Sequence, residues 1–181
     1  MMTRCWLPGC LGPFLATLLV GATFPGAALG ARFCPCAQGC CPTGWYQYRD
    51  SCYYPVEANR TWGEAESNCK DLVKGAHLVS VHSAEENIFI YHLMGAPHST
   101  QSKGSYWLGG HRRLQGQKQD EGSWRWADGS AWDYNNFGTG KPGSITGESY
   151  VASWQLDQDS VTWINHANST ELMSVCKHPL D

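Results

Sequence analysis

Tyr106-Trp107-Leu108-Gly109-Gly110, answered by Trp124-Arg125-Trp126-Ala127-Asp128-Gly129, is the stretch whose reading decides how this chain folds. Ser123 to Trp126 alternates polar and aromatic residues as a strand does, and Asp128-Gly129 supplies the turn that ends it. Outward from there, aromatics alternate loosely with polar residues from Trp45 to Tyr54, as in a strand pair. Thr61-Trp62-Gly63-Glu64 is a capping box, a hydroxyl and a carboxylate three residues apart that satisfy the free amides of a starting helix. Trp62, Ala65, Cys69 and Leu72 follow at helical spacing, which puts Cys69 on the buried face. His77 to Val81 reads as a short strand. Ser83-Ala84-Glu85-Glu86 is a second capping box, opening a helix that carries Phe89, Ile90, Leu93 and Met94 inward and ends near Gly95-Ala96-Pro97. Residues 98–105 are polar and loop-like. Ala131 to Glu148 is rich in Gly, Asn and Ser, and two strands are expected near Tyr150–Gln155 and Glu171–Lys177.

Taken with Cys41-Pro-Thr-Gly-Trp45, Cys52-Tyr-Tyr54, Cys69 and Val175-Cys176, these motifs resemble the C-type lectin-like domain over roughly residues 41 to 178. The resemblance implies an α+β fold: two helices flanking antiparallel strands, termini brought together, and a long loop at 131–148 on the opposite side. It also implies two disulfides. Cys41 would pair with Cys52 across an N-terminal hairpin, and Cys69 with Cys176, closing a loop of about a hundred residues.

In that family the long loop holds calcium, and the calcium holds sugar. The ligands are a carboxylate or amide on each side of a cis-proline, a later Glu, and an Asn and Asp after a late Trp. This chain presents Lys141-Pro142-Gly143, Glu148 and Trp163-Ile164-Asn165 at those positions. Calcium requires several hard oxygen ligands, and one carboxylate with one amide is a poor set. Lys141 opposes a cation further, since like charges ~5 Å apart repel. Pro142 and Glu148 are therefore read as a turn-forming proline and a solvent-facing or backbone-bonded carboxylate. No calcium and no other cofactor is expected. The family's inner disulfide is missing as a pair, with Tyr150 and Asn168 at its positions. Tyr150, Trp154 and Trp163 are expected to hold the loop base by packing instead.

The ends of the chain carry separate signals. Arg4, the apolar run Leu11–Ala22 and the small residues Ala28-Leu29-Gly30 read as a secretory signal over residues 1–30. A membrane anchor is the rival, but Pro8, Pro13 and Pro25 interrupt it and its apolar core is shorter than the ~20 residues a span needs. Residues 31–40 form a Cys/Gly/Pro-containing tether, and 41–181 the folded domain. Of nine cysteines, Cys5 and Cys10 leave with the signal, and seven remain. Cys34, Cys36 and Cys40 are left over from the two bridges. With no His among them, disulfide chemistry is preferred to zinc in an oxidising compartment. An odd thiol on the tether suggests a disulfide-linked homodimer through Cys34, Cys36 or Cys40; a thiol capped by a small molecule such as glutathione is the alternative.

The chain has 13 Lys and Arg against 16 Asp and Glu, twelve once Arg4 is removed, and no basic stripe. Nucleic acid and membrane insertion are not expected. No nucleophile elbow, His-Glu-x-x-His pattern or phosphate-binding glycine loop occurs, so no catalytic residue is assigned. His82-Ser83-Ala84-Glu85 imitates a His/Glu site, but Ser83 and Glu86 are better spent on a helix cap. Recognition remains: a secreted binder of a glycan or protein ligand on the long-loop face, independent of calcium. Calcium-dependent sugar binding and ice binding are the alternatives. The candidate contact residues are Trp132, Tyr134, Phe137, Lys141, Glu148 and Asn165. The aromatics are rigid anchors if exposed; alternatively Trp132 and Phe137 fold back to pin the loop. Asn59-Arg60-Thr61 and Asn168-Ser169-Thr170 are N-glycosylation sequons.

Overall fold

A computed structural model describes residues 40–95, 105–112, 123–144, 147–155 and 161–180. The secretory signal, the cysteines Cys34 and Cys36, and most of the 98–105 loop lie outside the described residues. The elements are β1 (Tyr46–Tyr48), β2 (Ser51–Arg60), α1 (Trp62–Leu72), β3 (His77–Leu78), α2 (Ala84–Leu93), β4 (Tyr106–Arg112), β5 (Arg125–Trp126), β6 (Ser149–Gln155), β7 (Val161–His166) and β8 (Leu172–Pro179). The sheet runs β1-β2-β8-β4-β6-β7, with β3 on β8 and β5 on β4. Ser51 faces Pro179 across β2 and β8, which brings the start and end of the described chain together.

Two expectations about the sheet need correction. It is mixed, not antiparallel throughout, because β8 lies parallel to β4 (Tyr106 opposite Met173). A whole strand, β7, was also not foreseen. Both faces of β7 are buried: Trp163 packs in one apolar cluster and Ile164 in the other. A strand buried on both sides shows no polar–apolar alternation, so it gives no period-2 signal.

The same two-sidedness organises the core. Along β4, Tyr106 and Leu108 point to one cluster and Trp107 to the other, as successive strand residues must. One cluster packs against α2 residues and the long-loop aromatics; the other contains Trp62, Ala65 and Cys69 of α1. The glycine pair in the opening motif permits this packing. A Cβ on Gly109 would lie 2.5 Å from the Leu78 carbonyl oxygen, and one on Gly110 would lie 2.6 Å from Val151 Cγ2. The Gly109 N–H donates to the Val79 carbonyl at 2.8 Å.

α1 starts as expected: Thr61 Oγ1 accepts from the Glu64 amide while the Glu64 carboxylate accepts from the Thr61 amide. Its inward face is Trp62, Ala65, Glu66 and Cys69, whereas Leu72 is exposed. Buried Glu66 is tied down by Lys70 at 3.0 Å, His77 Nδ1 at 2.7 Å and the Leu78 amide at 2.9 Å. α2 realises half of its expected box. Ser83 Oγ accepts from the Glu86 amide, but the Glu86 carboxylate takes the amide of His82, one residue earlier. Glu86 is drawn there because it also pairs with Lys177 and Tyr53 in the interior, at 2.7 and 2.6 Å. Burial and the Glu86 charge push the Tyr53 phenol far above its ordinary range.

Both expected disulfides are present. Cys41–Cys52 staples the β1–β2 hairpin, and Cys69–Cys176 joins α1 to β8 across 107 residues of sequence. Cys40 is exposed and carries a free thiol.

Candidate functional site: the long loop

The loop that follows β5 doubles back over β7. The Trp163 amide donates to Asn136 O at 2.8 Å, the Gly138 amide to Trp163 O at 3.1 Å, and Asn136 Nδ2 to Val161 O at 2.7 Å. Phe137 forms a parallel bridge with Trp163. The backbone strip thus lays three aromatics on one tryptophan. Trp163 is met edge-on by Trp132 at 5.9 Å, Tyr134 at 5.5 Å and Phe137 at 6.0 Å, and Trp132 stacks on Trp126 at 4.3 Å. Trp132, Tyr134 and Phe137 are consequently half-buried and packed on the core, so that they staple the loop and leave part of each ring open to solvent. Trp163 itself is fully buried, its Nε1 donating to Asn87 Oδ1 at 2.9 Å. Of the residues expected to hold the loop base, Trp163 does so by packing. Tyr150 and Trp154, four residues apart on one face of β6, pack in the other cluster, and Tyr150 reaches the end of the loop through its hydroxyl.

The calcium positions are arranged as follows. The Lys141–Pro142 peptide is cis, and Lys141 is exposed. Asn165 is buried, and both ends of its amide are consumed. Its Oδ1 accepts the Gly143 N–H at 2.6 Å, and its Nδ2 donates to Gly143 O at 2.9 Å and Ser149 Oγ at 2.7 Å. Ile164 points into the apolar cluster on the opposite face. Glu148 is exposed and accepts a hydrogen bond from the Tyr150 hydroxyl. The one amide oxygen that might have bound a cation is turned inward onto the loop backbone. Beside it, burial and the Lys141 charge hold the His166 imidazole below its ordinary value. This donor set does not fit calcium. What Asn165 does is mechanical: it clasps the segment after Pro142 to β7.

Asn165→Ala leaves the Gly143 amide and Ser149 hydroxyl without these partners, and is expected to cost about 1–3 kcal/mol. Urea unfolding measures the loss; a change near zero would show that the clasp is incidental.

The positions of the absent inner disulfide have been reassigned. The Tyr150 ring packs on Trp62 at 4.7 Å, and Asn168 Oδ1 accepts the Gly63 amide at 3.3 Å. Both therefore face α1. Asn59 and Asn168 are exposed, as glycan acceptors must be.

A cluster that the sequence did not announce joins the loop to the β3–α2 connection. His82 Nδ1 lies 2.6 Å from Asp133 Oδ1, and His82 Nε2 lies 3.2 Å from Ser130 Oγ. The order Ser–His–Asp resembles a hydrolytic triad, but the serine proton points elsewhere. Ser130 Oγ donates to Asp128 Oδ1 at 2.6 Å, so its hydroxyl is not poised to give a proton to the imidazole as a nucleophile must.

Comparison with known proteins agrees with this geometry. A family model described as the Lectin C-type domain matches residues 58–178. Ladderlectin of Oncorhynchus mykiss is 36% identical over 133 residues, covering 71% of this chain and 64% of that protein, so the chain spans just under two thirds of its length. Human lithostathine superposes with a TM-score of 0.65 at 26% identity, over 84% of this chain and 99% of that one. A calcium-independent type II antifreeze protein gives 0.61 at 27% identity, over 79% and 97%. With its two disulfides, its mixed sheet and its doubled-back loop, the chain belongs to the C-type lectin domain family.

Proposed function

We propose that this is a secreted recognition protein that binds a glycan or protein ligand through the long-loop face without calcium. The Asn165 clasp carries the reading, because the loop segment after Pro142 is already fastened by a protein amide where the family uses a metal. Lys141 and Glu148 are the polar contacts of that face, and the half-exposed edges of Trp132, Tyr134 and Phe137 its apolar ones. Asn165 acts one layer behind them as a positioning residue, since both ends of its buried amide are engaged with Gly143 and Ser149. Binding alone accounts for this face, and we assign no catalysis to it. Among the described residues no helix is long and apolar enough to cross a membrane. The two disulfides suit an oxidising, extracellular compartment, with residues 1–30 as the signal, 31–40 as the tether, 41–181 as the binding domain, and glycans on Asn59 and Asn168.

A glycan array probed with the full-length secreted product, once with millimolar calcium and once with chelator, tests the proposal. The same spots are expected in both, and the melting temperature should not rise with calcium, because a ligand of the folded state alone would raise it. Binding lost in chelator, or a calcium-dependent rise abolished by Glu148→Ala, would overturn it. The likeness to a calcium-independent type II antifreeze protein supports ice binding as a second reading. A thermal-hysteresis measurement separates the two, although no regular threonine-rich flat face is legible here.

We further propose a disulfide-linked homodimer through the tether. Cys40 is exposed with a free thiol beside the Cys41–Cys52 staple, and a thiolate in an oxidising compartment exchanges with accessible partners. Non-reducing electrophoresis should show twice the monomer mass. A monomer band whose intact mass reveals a free or glutathione-capped thiol excludes the dimer.

A further inference from the structure

The cluster around His82 obeys a proton count. Asp128 accepts on both oxygens: from Ser130 Oγ at 2.6 Å and the Ser130 amide at 2.9 Å on Oδ1, and from Ser80 Oγ at 2.5 Å on Oδ2. The Ser130 hydroxyl proton is therefore committed to Asp128. Its oxygen can then only accept from His82, so Nε2 must carry a hydrogen. Nδ1 must carry one as well, because it faces the Asp133 carboxylate. Burial alone would raise the Asp128 carboxyl, but the hydroxyls of Ser130 and Ser80, the Ser130 amide and Lys177 hold it below its ordinary value. The hydrogen bond from His82 does the same to Asp133. Both therefore remain anionic acceptors down to acid pH. All the contacts close together only when His82 is an imidazolium.

A neutral His82 breaks the chain at one point. If it keeps its Nδ1 proton for Asp133, Nε2 turns a lone pair toward an oxygen whose proton is elsewhere. If Ser130 reverses its hydroxyl to satisfy Nε2, Asp128 loses a donor. In the first case the bond from His82 to Ser130 is lost, in the second a bond within the loop; in both, the His82–Asp133 contact between the β3–α2 connection and the loop falls from an ion pair to a weaker bond from a neutral donor.

We propose that protonation of His82 latches the start of the long loop, residues 128–134, against the β3–α2 connection, and that its deprotonation loosens the loop. Histidine is the side chain whose charge ordinarily changes between pH 5 and 8, and His82 reaches solvent, its side chain being 28% exposed. The surrounding charges are Asp133 and Asp128 from the loop, Glu86 from α2, Lys177 from β8, and Arg49 and Asp50 from the β1–β2 turn, which share an open cavity of about 550 Å³ with His82. Lys177 is spent internally, on Glu86, Ser80 O and Ser80 Oγ, so it does not replace the imidazolium as a donor to the loop. Trp126 closes the remaining side, its ring 6.2 Å from the imidazole. The latch concerns the loop whatever the loop binds, so it stands or falls independently of the ligand proposed above.

Amide hydrogen exchange on the full-length secreted protein, corrected for the intrinsic pH dependence of exchange, tests it. Protection of amides 130–138 should be roughly tenfold higher at pH 5.5 than at pH 8, the size of one charge-assisted bond. Amides paired between β2 and β8 serve as the unchanged reference. The ¹⁵N shifts of the His82 ring should show both nitrogens protonated at pH 5.5. His82→Gln should abolish the pH dependence, and Asp133→Asn should shrink it by removing the carboxylate that the imidazolium pairs with. Flat protection in the natural protein, a neutral ring at pH 5.5, or a pH dependence that survives His82→Gln would each overturn the latch. Should His82→Gln fail to fold, the titration of the natural protein and of Asp133→Asn decides.

Discussion

Cys69→Ala is expected to abolish most release of the protein into the medium, while Cys34→Ala leaves release nearly intact. Cys69 is fully buried on α1, and its partner Cys176 lies on β8, in the middle of the sheet. The bridge closes 107 residues, and the chain-entropy model assigns about 4–5 kcal/mol to a loop of that length. A domain this size has only about 5–15 kcal/mol of net stability, so removing the bridge takes a large share of it. The substitution also strips a sulfur from a fully buried position beside Ala65 and Leu78. Cys34 belongs to the tether read from the sequence, where no such loss is expected. The measurement is secreted yield of both variants by reducing electrophoresis, with denaturant unfolding of whatever folds. Equal yields would show that the framework is held by packing and not by this bridge.

Trp163→Ala is expected to destabilise by about 3–5 kcal/mol, the range for removing a buried tryptophan. Four rings meet on it. Trp126, Trp132, Tyr134 and Phe137 all pack on it within 6.0 Å, and it connects three parts of the chain that are distant in sequence. Its loss also leaves Asn87, a buried side chain on α2, without the indole donor 76 residues away. The loop should therefore detach as well as the core loosening. Amides of residues 136–138 should lose protection before those of β2 and β8. Urea unfolding followed by hydrogen exchange reads both effects. A loss below about 1 kcal/mol, a typical single-mutation value, would mean that the loop is pinned elsewhere.

Much of the architecture was legible because its determinants are local. Thr61 and Glu64 announce a helix start from three residues of sequence, and the structure shows the reciprocal bonds. Ser83 and Glu86 announce the second start with the same pattern. There the interior overrode the pattern, pulling Glu86 onto Lys177, Tyr53 and the His82 amide. Leu72 kept helical spacing and still faced solvent at the last residue of α1, one turn beyond buried Cys69. The cysteine pairing came from family likeness rather than from periodicity, and the geometry agrees with it.

What the amino-acid order determined by itself was the family framework and the poverty of its calcium site. Lys141, Gly143 and Ile164 lack a side-chain oxygen in any conformation, so that conclusion needed no coordinates. What only the tertiary structure decided was the use of the polar and aromatic residues that remain. Asn165 is as good a metal ligand as a clasp until the loop backbone is seen 2.6 Å from its oxygen. Trp132, Tyr134 and Phe137 are as good anchors as staples until Trp163 is seen beneath them. His82 and Asp133 lie 51 residues apart, and no spacing rule joins them. The physical reason is common to all three. A side chain's bonding capacity is written in its chemistry, but the partner that consumes it is chosen by contacts between distant segments, which exist only once the sheet has brought those segments together.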